Sequence, residues 1–119
     1  MEIHTYDPYL PSKLAKSQGA YLHKKVGSLF ETCTHIPIHC NLTEETHHLV
    51  NAKRLSMMPG KKGGIACGNH IINCARGGII NEEALAAAVS NGVIAGAGLD
   101  VYSVEPLESN SPLLKLQEN

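Results

Sequence analysis

The residue best placed to do chemistry in this sequence is Arg76. It follows an apolar run, His70-Ile71-Ile72-Asn73-Cys74-Ala75, and precedes a glycine pair, Gly77-Gly78. An arginine at the carboxyl end of a strand offers a planar fork that grips a carboxylate through two parallel hydrogen bonds and polarises a carbonyl beside it. Open α/β sheets bind their ligands along that edge. A surface arginine capping the next loop is the plainer reading of the same position. Asp7 closes another short strand just ahead of Pro8, where its carboxylate can accept hydrogen bonds from a vicinal pair of hydroxyls or brace a turn. Asp100 closes a third strand, and Glu105 follows it five residues later. Cys33, His35, His39 and Cys40 lie close together. Alternation along a strand puts His35 and His39 on one face and Cys40 on the other, so no metal site is expected. Cys40 and Cys74 have no histidine–carboxylate arrangement beside them and read as core or lining residues rather than nucleophiles. Lys61, Lys62, Gly63 and Gly64 lack the P-loop spacing, and a flexible loop is expected there.

These residues need elements to hold them, and the elements alternate. Residues 1–6 read as a strand. Pro11-Ser12 opens a short helix to Lys16, which Gly19 stops. Residues 20–24 read as a second strand and 28–32 as a compact helix. Residues 35–40 form a third strand despite Pro37, which removes a ladder donor. Thr43 is a candidate N-cap, with Thr46 at the capping-box position, for a helix that buries Leu49, Val50, Ala52 and Leu55. Residues 59–69 carry four glycines and two lysines and read as a loop. Residues 70–75 form the fourth strand. Asn81, Glu82 and Glu83 mark the start of the clearest helix, which Gly92 stops, and residues 93–101 form the fifth strand. Strands alternating with helices predict a mostly parallel sheet covered on both faces.

The run Asn73-Cys74-Ala75-Arg76-Gly77-Gly78-Ile79-Ile80-Asn81-Glu82-Glu83-Ala84-Leu85 is followed by Ala95-Gly96-Ala97-Gly98-Leu99-Asp100-Val101-Tyr102 and Glu105-Pro106. Together these closely resemble the NAD-binding domain of the D-2-hydroxyacid dehydrogenases, a family that includes phosphoglycerate, glycerate and formate dehydrogenases. Tyr6-Asp7-Pro8-Tyr9 resembles the end of the family's second strand. His39-Cys40-Asn41-Leu42-Thr43-Glu44-Glu45-Thr46-His47-His48-Leu49 resembles its HCPLTPET-HL segment. The resemblance covers nearly the whole chain. It implies that Asp7 accepts hydrogen bonds from the adenosine ribose of NAD and disfavours a 2′-phosphate by its charge. It implies too that Cys40, Asn41, Cys74, Ala75, Arg76 and Asp100 line the cofactor, with Arg76 also gripping a 2-keto-acid carboxylate. Glu105 then matches the acidic partner that raises the pKa of a catalytic histidine.

The resemblance also has gaps. The family's G-x-G-x-x-G fingerprint, whose glycine loop and helix N-terminus cradle the pyrophosphate, is expected ahead of Met1. Gly96-x-Gly98 does not replace it, because it lies inside a strand. The catalytic histidine is expected after the 113–116 segment, and the substrate-binding domain on both flanks. Asn41 stands where the family has proline, and residues 59–69 are longer than its "PG-A" connection. The expectation is one domain over residues 1–119, truncated at both ends, without dehydrogenase activity and with weak or no NAD binding. The alternatives are a piece of a complete NAD-dependent dehydrogenase, and a domain that binds another ligand such as a flavin mononucleotide.

The family's sheet has the order 3-2-1-4-5-6, and loss of its first strand strands buried backbone groups without partners unless the sheet closes. Closure predicts a three-layer, flavodoxin-like α/β domain with five parallel strands in the order 2-1-3-4-5. A monomer is the default, and a domain-swapped dimer is the alternative. Composition adds limits. At 119 residues, 43% hydrophobic and 18% charged, the chain is of single-domain size and can bury one core. A net charge of -1 gives no electrostatic footprint for nucleic acid or an anionic membrane. No apolar run approaches the roughly 20 residues of a membrane span, and the N-terminal residues lack a signal-peptide layout. The four cysteines are expected as free thiols in a cytoplasmic protein.

Overall fold

The computed structural model describes residues 1–103, 105 and 110–116. Strands and helices alternate at first: β1 (Ile3–Thr5), α1 (Ser12–Ser17), β2 (Ala20–Leu22), α2 (Val26–Thr32), β3 (His35–Ile38) and α3 (Ala52–Met57). A hairpin of β4 (Lys61–Lys62) and β5 (Ile65–Ala66) follows. Then come β6 (His70–Asn73), α4 (Glu82–Ser90), β7 (Gly96–Leu99) and a 3-10 turn, Pro112–Leu116. Among the described residues no helix is long and apolar enough to cross a membrane.

Helix α4 forms where its local signals put it. The Asn81 side chain accepts from the Ala84 N–H at 3.1 Å, and Glu82 and Glu83 sit against the positive end of the helix dipole. No helix opens at Thr43. The Thr46 hydroxyl donates to the Asn41 carbonyl at 2.6 Å and accepts from the Thr43 N–H at 2.7 Å, which closes residues 43–48 into a turn. His48 then takes a left-handed backbone (φ 51°), which a helix cannot propagate. Val50 bridges Ile80 instead, and α3 opens only after Asn51, whose side chain accepts from the Arg54 N–H at 2.9 Å.

The five expected strands are present and all pair in parallel, but in two sheets. β1 pairs with β2, Ile3 beside Ala20. β6 lies between β3 and β7, with Ile36 beside Ile71 and Ile71 beside Ala97. Among the described residues no ladder joins β1 to β3. The continuous flavodoxin-like sheet is therefore corrected to a Rossmann-like parallel arrangement interrupted between those strands. Burial supplies the reason. The apolar core runs from Phe30 to Leu113, whereas β1, α1 and β2 bury only Ala15 and leave Ile3 and Tyr21 exposed. Without apolar burial to draw β1 against β3, ladder hydrogen bonds worth about 1 kcal/mol each are a weak drive.

Pro37 fits at the open edge of β3. The His70 N–H donates to the Thr34 carbonyl at 2.7 Å, which sets the backbone groups of 34, 36 and 38 toward β6 and those of Pro37 away from it. Among the described residues the three-stranded sheet is covered on one face only. Ile36, Ile38, Ile71 and Asn73 are buried on the side of α2, α3 and α4, while His35, Pro37, Ile72, Cys74 and Gly98 are exposed on the other. Two layers thus stand where three are expected, and the molecule's 20 Å short axis suits one sheet and one helix layer at about 10 Å each.

Residues 59–69 are not a plain loop. β4 and β5 pair antiparallel, Lys62 with Ile65, around Gly63 and Gly64, whose positive φ angles the tight mirror-image turn requires. The buried Asn69 anchors the hairpin's base. Its side chain accepts from the Gly60 N–H at 2.7 Å and donates to the Val93 carbonyl at 3.0 Å.

Candidate functional site

β3, β6 and β7 run parallel, so their carboxyl ends share one edge. Asn73, the last residue of β6, organises it. Its side-chain oxygen accepts from the Ala75 N–H at 3.0 Å, and its amide donates to the Arg76 carbonyl at 2.9 Å. Its own carbonyl accepts from the Asp100 N–H at 3.0 Å. One buried amide thus turns the chain after β6 and ties that turn to the end of β7. Sequence reasoning passes over Asn73 as a site residue. The signal that could have found it is a polar residue ending the apolar run His70-Ile71-Ile72.

Arg76 is exposed, and its Nη1 donates to the Ala75 carbonyl at 2.8 Å. That bond fixes one end of a guanidinium that has five donors. Gly77 lets the turn pack, because a Cβ there would collide with the Tyr102 carbonyl. The Gly78 carbonyl accepts from the His48 N–H at 2.8 Å, and Glu82 Oε2 accepts from the Ser103 N–H at 2.8 Å. Segments 43–48 and 102–103 therefore wall the turn on two sides.

The other expected site residues divide. Cys74, Ala75, Arg76 and Asp100 come together at the ends of β6 and β7, with Cys40 and Asn41 beside them after β3. Cys40 packs against the core, and burial pushes its thiol up against a weaker downward pull from a backbone hydrogen bond. The Asn41 carbonyl is taken by Thr46, and its side chain is exposed. Glu105 accepts from the Tyr102 N–H at 3.3 Å and so braces its own loop. Asp7 stands after β1 in the other sheet, where its Oδ1 accepts from the Tyr9 N–H at 2.9 Å, the turn-bracing geometry.

A dinucleotide needs a cradle for its two phosphates as well as walls for its ends. The turn and the exposed Arg76 and Asp100 fit the second need. Gly96 and Gly98 do not meet the first. Both lie inside β7, where no helix opens directly after them, and a Cβ on Gly96 would meet the His70 ring of β6 at 3.0 Å.

Comparison with known proteins gives this geometry a setting. Residues 1–119 match the family model described as D-isomer specific 2-hydroxyacid dehydrogenase, NAD binding domain. The chain is similar to a D-3-phosphoglycerate dehydrogenase of Methanocaldococcus jannaschii, 40% identical over 116 residues, which are 98% of this chain and 21% of that protein. Its structure is similar to a Granulicella m. formate dehydrogenase, with a TM-score of 0.81 at 28% identity, over 93% of this chain and 28% of that one. It is also similar to a D-isomer specific 2-hydroxyacid dehydrogenase from Xanthobacter autotrophicus Py2 in complex with NADPH and MES. There the TM-score is 0.77 at 31% identity, over 96% of this chain and 33% of that one. The chain thus spans only a minor part of the length of each of these relatives.

Proposed function

The chain belongs to the NAD-binding domain family of the D-isomer specific 2-hydroxyacid dehydrogenases, and we propose that on its own it is a non-catalytic portion that binds NAD weakly or not at all. The observation that carries this reading is the interruption between β1 and β3. It places Asp7, the carboxylate suited to the adenosine ribose, on one sheet and the Arg76 edge on the other. A ligand held at one end gains a few hydrogen bonds at about 1 kcal/mol each, against an association cost of about 4 kcal/mol or more.

Within a longer protein that supplies the pyrophosphate loop, the same residues have definite tasks. Arg76 grips the carboxylate of a small 2-keto or 2-hydroxy acid. Cys40, Asn41, Cys74, Ala75 and Asp100 line the cofactor, and Glu105 supports a histidine from elsewhere in that protein. Residues 1–119 form one domain in this reading, with the 59–69 hairpin as an added element. A flavin mononucleotide would need the crevice of a continuous sheet between β1 and β3, which no ladder joins among the described residues.

Titration of the 119-residue chain with NADH, followed by calorimetry and nicotinamide fluorescence, tests the proposal. The expected result is no saturation below about 1 mM, where binding is worth only about 4 kcal/mol. No NADH is expected to be consumed with small 2-keto acids. Micromolar affinity overturns the weak-binding reading, and turnover overturns the non-catalytic one.

A further inference from the structure

Away from the Arg76 edge, four side chains near the N-terminus form one hydrogen-bonded line. Glu2 Oε1 lies 3.2 Å from His4 Nε2, and His4 Nδ1 lies 2.8 Å from His23 Nε2. His23 Nδ1 in turn lies 2.8 Å from Ser28 Oγ. β1 holds His4, the residue after β2 is His23, and α2 holds Ser28. Tyr21 stacks on the His4 ring with centroids 5.0 Å apart, which fixes its plane. The His4 side chain is only 11% exposed, whereas Ser28 is open to solvent.

The end of this line decides where its protons sit. An ionised Glu2 can only accept, so His4 presents its Nε2–H to it. A neutral His4 then has a bare Nδ1 and accepts from the His23 Nε2–H. A neutral His23 has a bare Nδ1 in turn, and Ser28 supplies the proton of that last contact. Two neutral imidazoles and one hydroxyl give one proton to each of three hydrogen bonds. Any other pair of neutral tautomers sets a lone pair against a lone pair. Burial, and after it the neighbouring His4, hold His23 below its ordinary pKa of 6.5, which favours the neutral ring.

We propose that Ser28 is a nucleophile toward small activated esters. His23 acts as its general base, and His4 and Glu2 are positioning residues that fix the tautomer of His23. In the step, Ser28 Oγ bonds to the acyl carbon while its proton passes to His23 Nδ1. The bond from that carbon to the leaving oxygen breaks, and the departing alkoxide or phenoxide takes the proton from His23. The products are an acyl-serine and a free alcohol or phenol, and neither Arg76 nor a nucleotide takes part.

Incubation of the 119-residue chain with p-nitrophenyl acetate tests the proposal, read by nitrophenolate release and by peptide mass spectrometry. Acetylation is expected at Ser28, to be abolished by Ser28→Ala and slowed about 100-fold by His23→Gln. Imidazole 15N shifts are expected to show His23 Nδ1 without a proton in the wild-type chain. Glu2→Gln is expected to shift that tautomer balance and slow acetylation, which a merely structural contact would not do. Ser28 and Glu2 are exposed, so both variants retain the fold. Acetylation that spares Ser28, an unchanged rate in His23→Gln, or a protonated His23 Nδ1 at pH 7 overturns the proposal.

Discussion

Replacing Asn73 by alanine strips the Ala75 N–H and the Arg76 carbonyl of their side-chain partners at a position only 1% exposed. Ala75 is half-buried and Arg76 exposed, so water takes up part of what is lost, and Asn73→Ala is expected to lose about 1–2 kcal/mol in urea unfolding. Arg76→Ala removes an exposed side chain that donates to the neighbouring Ala75 carbonyl, and a change within about 0.5 kcal/mol is expected. The contrast separates the residue that builds the turn from the one the turn presents. The thiols divide on similar grounds. Burial pushes the Cys40 thiol up, whereas Cys67 and Cys74 are exposed. Because the thiolate is the reactive form, iodoacetamide at pH 8 is expected to label Cys67 and Cys74 before Cys40. Peptide mass spectrometry over a time course gives the order, and early labelling of Cys40 would contradict its placement.

Among the elements, β1, α1 and β2 bury little, and the His4–His23–Ser28 contacts fasten them to α2. The lowered His23 pKa gives that attachment a pH dependence with a definite sign. Below pH 6.5 the unfolded chain takes up a proton that the folded form resists, so stability is full above that value and falls as pH drops toward the lowered one. Amides of β1 and β2 are expected to exchange faster at pH 5 than at pH 7.5 after correction for intrinsic rates, while those of β6 change little. The same elements show what a sequence can reveal. α4 is legible because its cap, its first-turn acids and its stop are all local. The turn at 43–48 is not, because Thr43 and Thr46 suit a capping box equally well, and tertiary partners at Asn41 and Gly78 decide. The gathering of Cys74, Arg76 and Asp100 follows from their places at strand ends. Asn73 escapes because its role consists of contacts to backbone, and the break between β1 and β3 escapes because it depends on which distant side chains are buried.

For the whole molecule, the helices pack on one side of the three-stranded sheet, so among the described residues the β3–β6–β7 edge has a covered face and an open one. Neighbouring residues of β6 report this directly. Ile71 is fully buried toward α3 and α4, whereas Ile72 points to the open face and is 36% exposed. Ile71→Ala should lose its transfer free energy and leave a cavity, about 2–5 kcal/mol together. Ile72→Thr keeps the β-branched shape that suits a strand and loses little burial, so about 1 kcal/mol or less is expected. Urea denaturation of the two variants beside the wild-type chain checks both values with a single slope. Equal losses would mean that the outer face of β6 is covered in solution, and the two-layer architecture would then be wrong. Unequal losses would mean that this sheet has packed helices behind it and solvent in front.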